Sequence, residues 1–238
     1  MRRRPEPLLC ELHAHTTWSD GALSLAELVD LYGRAGFDVL AVTDHVNRPG
    51  VDARGVTAAR YGAYVAEIAA EAERARERYD LLVLPGAELT YNDPDPLLAA
   101  HAVAVGLGAF VPLDDGLEPA LERAREQGAA LIAAHPFRAR RAAQPGRRTL
   151  RFARDWRTLR AFVDRWELFN RFDLFGWVAE CGLPAVANGD FHRLEHLHGW
   201  KTLLPCRKDG VTVVEYLRSG RPTFLTRIDP PHELPCAA

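Results

Sequence analysis

A chain of 238 residues with 47% hydrophobic content is long enough to bury one sizeable core, as a single α/β barrel or as two small domains. The formal net charge of −2 argues against whole-surface attraction to nucleic acid or membrane, and no run approaches the roughly 18 apolar residues of a membrane helix. Cys10, Cys181, Cys206 and Cys236 are scattered with no C-x-x-C pair, so no disulfide framework or zinc ribbon is indicated, and a soluble protein in a reduced cytoplasmic setting is expected.

The first apolar run, Leu8-Leu9-Cys10, reads as a buried strand, and Glu11-Leu12-His13-Ala14-His15 follows directly. Strand side chains alternate between faces, so His13 and His15 point the same way, and the pair can bind one metal ion. Asp20 follows where the chain turns at Gly21. Ser24 and Glu27 form a capping box for a helix carrying Leu25, Leu28, Val29 and Tyr32 at helical spacing, closed by Gly33 and Gly36. The run from Phe37 to Thr43 is the second strand, ending in Asp44-His45 and completing a βαβ unit. Sites in such folds form at the carboxyl ends of the strands, so His45 is expected in the same pocket, with Asp44 orienting a histidine from behind.

Residues 57–79 read as a long helix with a solvated charged face, and Leu81 to Ala87 as the third strand, with Glu88 at its end. Only twelve residues separate Glu88 from His101, too few for a helical crossover, so the strand over 97–107 is expected to run antiparallel to the one before it. A helix over Leu117 to Gln127 leads to a strand over Ala129 to Ala134, which His135-Pro136 ends. Nine arginines then fall between Arg138 and Arg160, either a solvated loop leading into a helix or an anion funnel holding a phosphorylated substrate. Trp166 to Asn170 is a short strand with a polar exit, 172–180 a helix, and Leu183 to Ala187 another strand. Asn188-Gly189-Asp190-Phe191-His192 then repeats the i, i+2 arrangement of the first motif, while His196 and His198 read as loop surface. A helix over Val211 to Leu217 and a strand over Thr223 to Thr226 complete the chain.

Nine candidate ligands result, His13, His15, Asp20, His45, Glu88, His101, His135, Asp190 and His192, and six of the chain's nine histidines are among them. Imidazole mixed with carboxylate, and no thiolate, suits Mn²⁺, Fe²⁺ or Zn²⁺ better than Mg²⁺ or Ca²⁺. Nine ligands exceed what one catalytic ion needs, so two or three ions sharing bridging carboxylates are expected.

The motifs His13-x-His15-x4-Asp20-Gly21, Thr43-Asp44-His45, Gly86-x-Glu88, His135-Pro136 and Gly189-Asp190-Phe191-His192 resemble those of the polymerase and histidinol phosphatase (PHP) family of metal-dependent phosphoesterases. They run in order over a core of about 8–226 within one domain spanning 1–238. The resemblance implies an α/β fold, a distorted (β/α)₇ TIM-like barrel, with a three-metal centre. By position, His13, His15, Glu88 and Asp190 would hold one ion. Glu88, His101 and His135 would hold a second, and Asp20, His45 and His192 a third. It further implies hydrolysis of a phosphate ester by activated water, with Glu88, Asp20 and His192 as candidate catalytic residues. From the residues themselves, Arg138, three positions beyond His135 in the loop leaving a strand end, is the favoured substrate contact, with Asn170 and Arg193 as further candidates. The implied substrates are a phosphorylated small molecule, a nucleotide or a short oligonucleotide, and a polymerase proofreading role would need a separate partner. Two other readings stay open. One is a metal-loaded regulatory module, which a site sealed from solvent would favour. The other is C–N bond hydrolysis, although a carboxylated lysine is not expected because Lys201 and Lys208 lie outside the motifs.

Overall fold

A computed structural model describes residues 6–48, 50, 54–138 and 149–230. Arg140, Arg141, Arg147 and Arg148, part of the expected anion funnel, lie outside the described residues. The chain runs β1 (Leu8–Glu11), α1 (Leu25–Arg34), β2 (Val39–Val42), β3 (His45–Asn47), α2 (Ala58–Tyr79), β4 (Leu82–Tyr91) and β5 (Ala100–Val105). It continues through α3 (Leu117–Glu126), β6 (Ala130–Ala134), α4 (Arg151–Arg154), α5 (Trp156–Leu159), β7 (Arg165–Asn170), β8 (Asp173–Leu174) and α6 (Trp177–Glu180). The last elements are β9 (Ala185–Asn188), a 3-10 turn (Leu194–Leu197), β10 (Gly199–Leu204), α7 (Gly210–Arg218) and β11 (Phe224–Ile228). Among the described residues no helix is long and apolar enough to cross a membrane.

The strands form one sheet in the order β11-β10-β1-β2-β4-β5-β6-β7-β8, with β3 added beside β4 and β9 beside β7. The pairs β1–β2, β2–β4, β6–β7 and β7–β9 are parallel, while β5 runs antiparallel to both β4 and β6. The short connection between Glu88 and His101 therefore acts as expected, and the fold is a curled, TIM-like α/β sheet. Its edges approach where the Thr202 hydroxyl of β10 meets Ala187 N and Ala187 O of β9, at 2.9 and 2.8 Å.

Alternation along the strands separates two apolar layers. Val39, Ala41, Val103, Val105, Ala130 and Ile132 face inward with Cys10 and Leu84, and Val213, Tyr216 and Leu217 of α7 close that layer at one end. Leu40, Val42, Ala102, Ala104, Leu131 and Ala133 face outward under Leu28, Tyr32, Tyr64 and Ile68. The buried Arg165 guanidinium donates to Leu217 O and Tyr216 O, where the carbonyl end of α7 attracts a cation. The capping box of α1 is present, with Ser24 and Glu27 exchanging bonds.

Three elements differ from the sequence reading. β4 runs on past Glu88 to Tyr91, because the antiparallel β5 and the short β3 pair with its second half, so Glu88 lies inside the strand. Residues 172–176 are not helical: β8 folds back on β7, and only Trp177–Glu180 is a helix. β10, which joins β1 to the edge strand β11, was not expected. It pairs antiparallel with β1, Leu8 opposite Leu204 and Cys10 opposite Thr202.

β10 also brings in a buried charge. Lys201 Nζ lies 2.9 Å from Glu11 Oε2, with both side chains fully buried. Tyr32 Oη and the Gly189 amide donate to the same carboxylate. Removing one member of such a pair leaves the other charged and unsatisfied. Lys201→Met is expected to cost about 3–5 kcal/mol of stability. Adding Glu11→Gln should recover part of that loss, as read from urea midpoints.

Candidate metal centre

His13 and His15 emerge from β1 in extended backbone that continues as a bridge between Ala14 and Phe191. His15 N donates to Phe191 O at 2.9 Å and Phe191 N to His13 O at 3.1 Å. The two i, i+2 motifs are thereby laid side by side, and the His13 and His15 rings lie 5.1 Å apart. Gly21 returns the chain so that Asp20 faces the pair, and a Cβ at Gly21 would collide with the carbonyl of His15. A Cβ at Gly189 would collide with Glu11 Oε2 and Lys201 Nζ, so the glycine before Asp190 lets the buried ion pair sit against the turn.

Glu88, 1% exposed, is the hub. Its Oε1 lies 3.0 Å from His101 Nδ1, 3.1 Å from His135 Nε2 and 3.6 Å from His13 Nε2. Its Oε2 lies 2.7 Å from His45 Nδ1 and 3.5 Å from His15 Nε2. Asp190 Oδ1 stands 3.5 Å from His13 Nε2, 3.4 Å from His15 Nε2 and 3.3 Å from His192 Nδ1. Asp20 Oδ1 stands 3.3 Å from His192 Nε2 and 3.4 Å from His45 Nε2. Eight of the nine side chains fall in three groups with ion-binding spacing: His15, Asp20, His45 and His192; His13, His15 and Glu88; and Glu88, His101 and His135. Asp190, the ninth, adjoins them through His13, His15 and His192. His15 thus reaches the Asp20 group as well as the Glu88 group, a sharing absent from the sequence-based partition.

Whether these side chains suit cations is tested by their unmet valence. His13 Nε2, His15 Nε2 and Asp20 Oδ1 are buried and make no hydrogen bond. Glu88 Oε2, although 2.7 Å from His45 Nδ1, also lacks one of acceptable geometry. A buried polar atom without a partner is costly, and four of them aimed at common spaces fit bound cations. The outer nitrogens are held from behind. His13 Nδ1 bonds Glu167 Oε1 at 2.9 Å, His45 Nδ1 bonds Thr90 Oγ1 at 2.7 Å, and His135 Nδ1 bonds Thr149 Oγ1 at 3.2 Å. His101 is reversed: Nε2 bonds Asn92 Oδ1 at 3.0 Å, and Nδ1 faces Glu88. Such outer bonds fix tautomer and ring orientation.

Burial disfavours charge here, and the cluster answers by mutual compensation. Burial would raise Glu88, but His45, His101 and His13 hold it well below the carboxylate range. Asp190, equally buried, is held low by His13, His15 and Arg171. Burial would lower His13, yet Asp190, Glu88 and Glu167 raise it well above the usual imidazole value. His45 is likewise raised against burial to about 10 by Glu88 and Asp20. His15 is pushed down to about 3 by burial and by His45.

Glu167 is the side chain the sequence reading missed most completely. Fully buried in β7, it accepts His13 Nδ1 and Asn188 Nδ2 on one oxygen, and His135 N and Asn170 Nδ2 on the other. A glutamate inside an otherwise apolar run was its only signal. Asn170, expected at the substrate, directs its amide to Glu167 instead. Asp44 does not orient a histidine directly. Its carboxylate accepts from Thr16 N, Thr16 Oγ1 and Ser19 Oγ, holding the turn that follows His15. Arg138 is turned away onto α6, its guanidinium 4.8 Å above the Trp177 ring and 3.5 Å from Glu180. Arg193 is 69% exposed and pairs with Glu195. His196 is no free surface residue, since its Nδ1 accepts from His192 N at 3.0 Å.

A model of the PHP domain matches residues 11–151, a span holding His13, His15, Asp20, His45, Glu88, His101 and His135. The DNA polymerase/3′-5′ exonuclease PolX of Bacillus subtilis strain 168 is 29% identical over 229 residues, covering 89% of this chain and 39% of that protein. The chain therefore spans about two fifths of this curated relative's length. Among solved structures, a two-domain protein of Bacteroides vulgatus containing a predicted PHP-like metal-dependent phosphoesterase superposes with TM-score 0.66 at 19% identity, over 95% of this chain and 69% of that one. A Bifidobacterium adolescentis protein proposed to be a metal-dependent phosphoesterase gives TM-score 0.53 at 16% identity, over 77% of this chain and 87% of that one. At these identities the structural likeness is one of fold.

Two outcomes follow from the site. In the metal-free protein His45, raised to about 10, holds a proton that a cation must displace, so binding should release a proton and tighten as pH rises from about 6 to about 8. Calorimetry in buffers of different ionisation enthalpy reads this directly. Glu167→Gln leaves the strand intact but weakens the brace on His13 and His135, and should lower metal affinity by about 10–100-fold in chelator competition.

Proposed function

Because the chain belongs to the PHP domain family, we propose that it is a metal-dependent phosphoesterase acting on a phosphorylated small molecule, a nucleotide or the end of a short oligonucleotide. The observation that carries this reading is the set of buried, unpartnered donor atoms on His13, His15, Asp20 and Glu88. His13, His15, Glu88 and Asp190 would hold one ion, Glu88, His101 and His135 a second, and Asp20, His45 and His192, joined by His15, a third. Imidazole and carboxylate donors favour Mn²⁺, Fe²⁺ or Zn²⁺. When bound, such ions supply Lewis acidity toward phosphate oxygens and toward water at neutral pH.

The protein's own groups set the rest. Glu88, dry and ionised, offers one oxygen to each of two donor groups and so fixes their spacing. Side-chain exposure rises from zero at His13 and His15 to 13–15% at His101, His45 and His135 and to 21–23% at His192 and Asp20. The centre therefore opens on the Asp20–His192 side, where substrate and water approach. That opening favours an enzyme over a sealed regulatory module. His192 Nδ1 lies 2.9 Å from the Asp190 carbonyl, so its Nε2 is the nitrogen facing Asp20. Acting as a ligand there, His192 would have no proton on Nε2 to give to a leaving alkoxide. C–N hydrolysis through a carboxylated lysine is disfavoured, because Lys201 is paired with Glu11 and Lys208 with Asp38 and Asp80. The exonuclease name of the PolX relative supports including oligonucleotide ends among the substrates.

The reading is tested by metal content from mass spectrometry together with phosphate release from monophosphates, bisphosphates and short oligonucleotides with added Mn²⁺. Two or three ions per chain and turnover on the panel are expected. Bound ions without turnover would favour a binding module. Glu88→Ala should abolish turnover and remove at least one ion per chain, whereas full metal content in that variant would break the bridging role.

A further inference from the structure

The residue after β7 is a cation at the edge of the cluster. Arg171 adopts left-handed backbone, φ 56°, and is fixed on both sides: its amide donates to Asn188 O at 2.8 Å and its carbonyl accepts from Trp200 N at 3.1 Å. Its guanidinium reaches across to the Asp190 turn. Nε donates to Gly189 O and Asp190 O, each at 3.3 Å, and Nη2 donates to Asp190 O and Asp190 Oδ2, each at 2.9 Å. Nη2 also lies 3.4 Å from His192 Nδ1. Nη1 has no partner among the described residues, and the side chain is 36% exposed. Arg171 thus places a guanidinium directly on Asp190, one of the nine convergent side chains. Arg138 and Arg193, nominated from sequence, pair instead with Trp177 and Glu180 and with Glu195.

We infer that Arg171 is the phosphate-recognising residue of the site: its Nε/Nη2 edge holds Asp190 while Nη1 takes a non-bridging oxygen of a terminal phosphomonoester. The inference rests on the phosphoesterase reading and narrows it. A guanidinium with one edge already fixed loses little conformational freedom when its remaining donors meet an oxyanion, and such charge-assisted bonds are among the stronger ones. A monoester dianion carries a charge and an oxygen that a diester lacks. A cation beside the metal ligands therefore selects a terminal phosphate over an internal linkage.

The test uses the metal-loaded protein, with inorganic phosphate and dimethyl phosphate as monoester and diester probes and with calorimetry as the readout. Wild type should bind phosphate more tightly than dimethyl phosphate. Arg171→Ala should weaken phosphate by about tenfold or more, change dimethyl phosphate little, and keep its metal by mass spectrometry. Arg171→Lys should recover part of the phosphate affinity. Unchanged phosphate binding in Arg171→Ala overturns the assignment, as does equal loss for both probes. Loss of metal from both variants overturns it too, leaving the arginine as a brace for Asp190 alone. A wild type that binds metal but neither probe, and releases phosphate from nothing, is a failure of the phosphoesterase reading itself.

Discussion

A carboxylate buried in a dry interior has to be answered by charge or by hydrogen bonds, and the architecture around Glu88 is the answer this chain gives. Among the described residues no backbone amide caps its oxygens. Histidines from β1's exit, β3, β5 and the end of β6 surround them instead. That demand accounts for the irregular part of the sheet. β4 must run ten residues to carry Glu88 past the end of β2, β3 must pair beside it to bring His45 opposite, and β5 must return antiparallel to deliver His101.

Behind the histidines lies a second layer of buried charge. Glu167 accepts four bonds and ties His13 to the His135 backbone, so two donor groups share one anchor. The Glu11–Lys201 pair ties β1 to β10 and accepts the Gly189 amide beneath Asp190. His135, Asp190 and Arg171 all hold left-handed backbone, at φ 28°, 45° and 56°. Strain of this kind persists only where surrounding contacts over-determine it, and it concentrates where geometry is fixed before a ligand arrives. The α7 side of the barrel is filled mainly by apolar side chains, with the Arg165 guanidinium as its buried charge, while the convergent histidines and carboxylates lie elsewhere.

Much of the convergence was legible along the chain. Period-2 spacing placed His13 and His15 together, and the polar residue closing an apolar run marked a strand exit at His135 but not at Glu88, which lies inside β4. The short Glu88–His101 interval required an antiparallel return, which the register shows. The capping box at Ser24 located the start of α1. These features were readable because each depends on neighbours a few residues apart, through pleat, helical period or loop reach.

What stayed hidden depends on partners far along the chain. β10 is a strand because β1, some 190 residues earlier, offers it a free edge, and Lys201 is buried because Glu11 meets it there. Glu167, Asn92 and Thr149 carry no motif. Their roles exist only once the barrel brings them behind His13, His101 and His135. Arg138 had the right sequence context and the wrong direction, since a Trp177 ring and Glu180 were nearer than the histidines. The sequence by itself determined the strand-end donors and the α/β order of elements. Only the tertiary structure decided which buried charges neutralise one another, because desolvation makes that choice by proximity in space rather than along the chain.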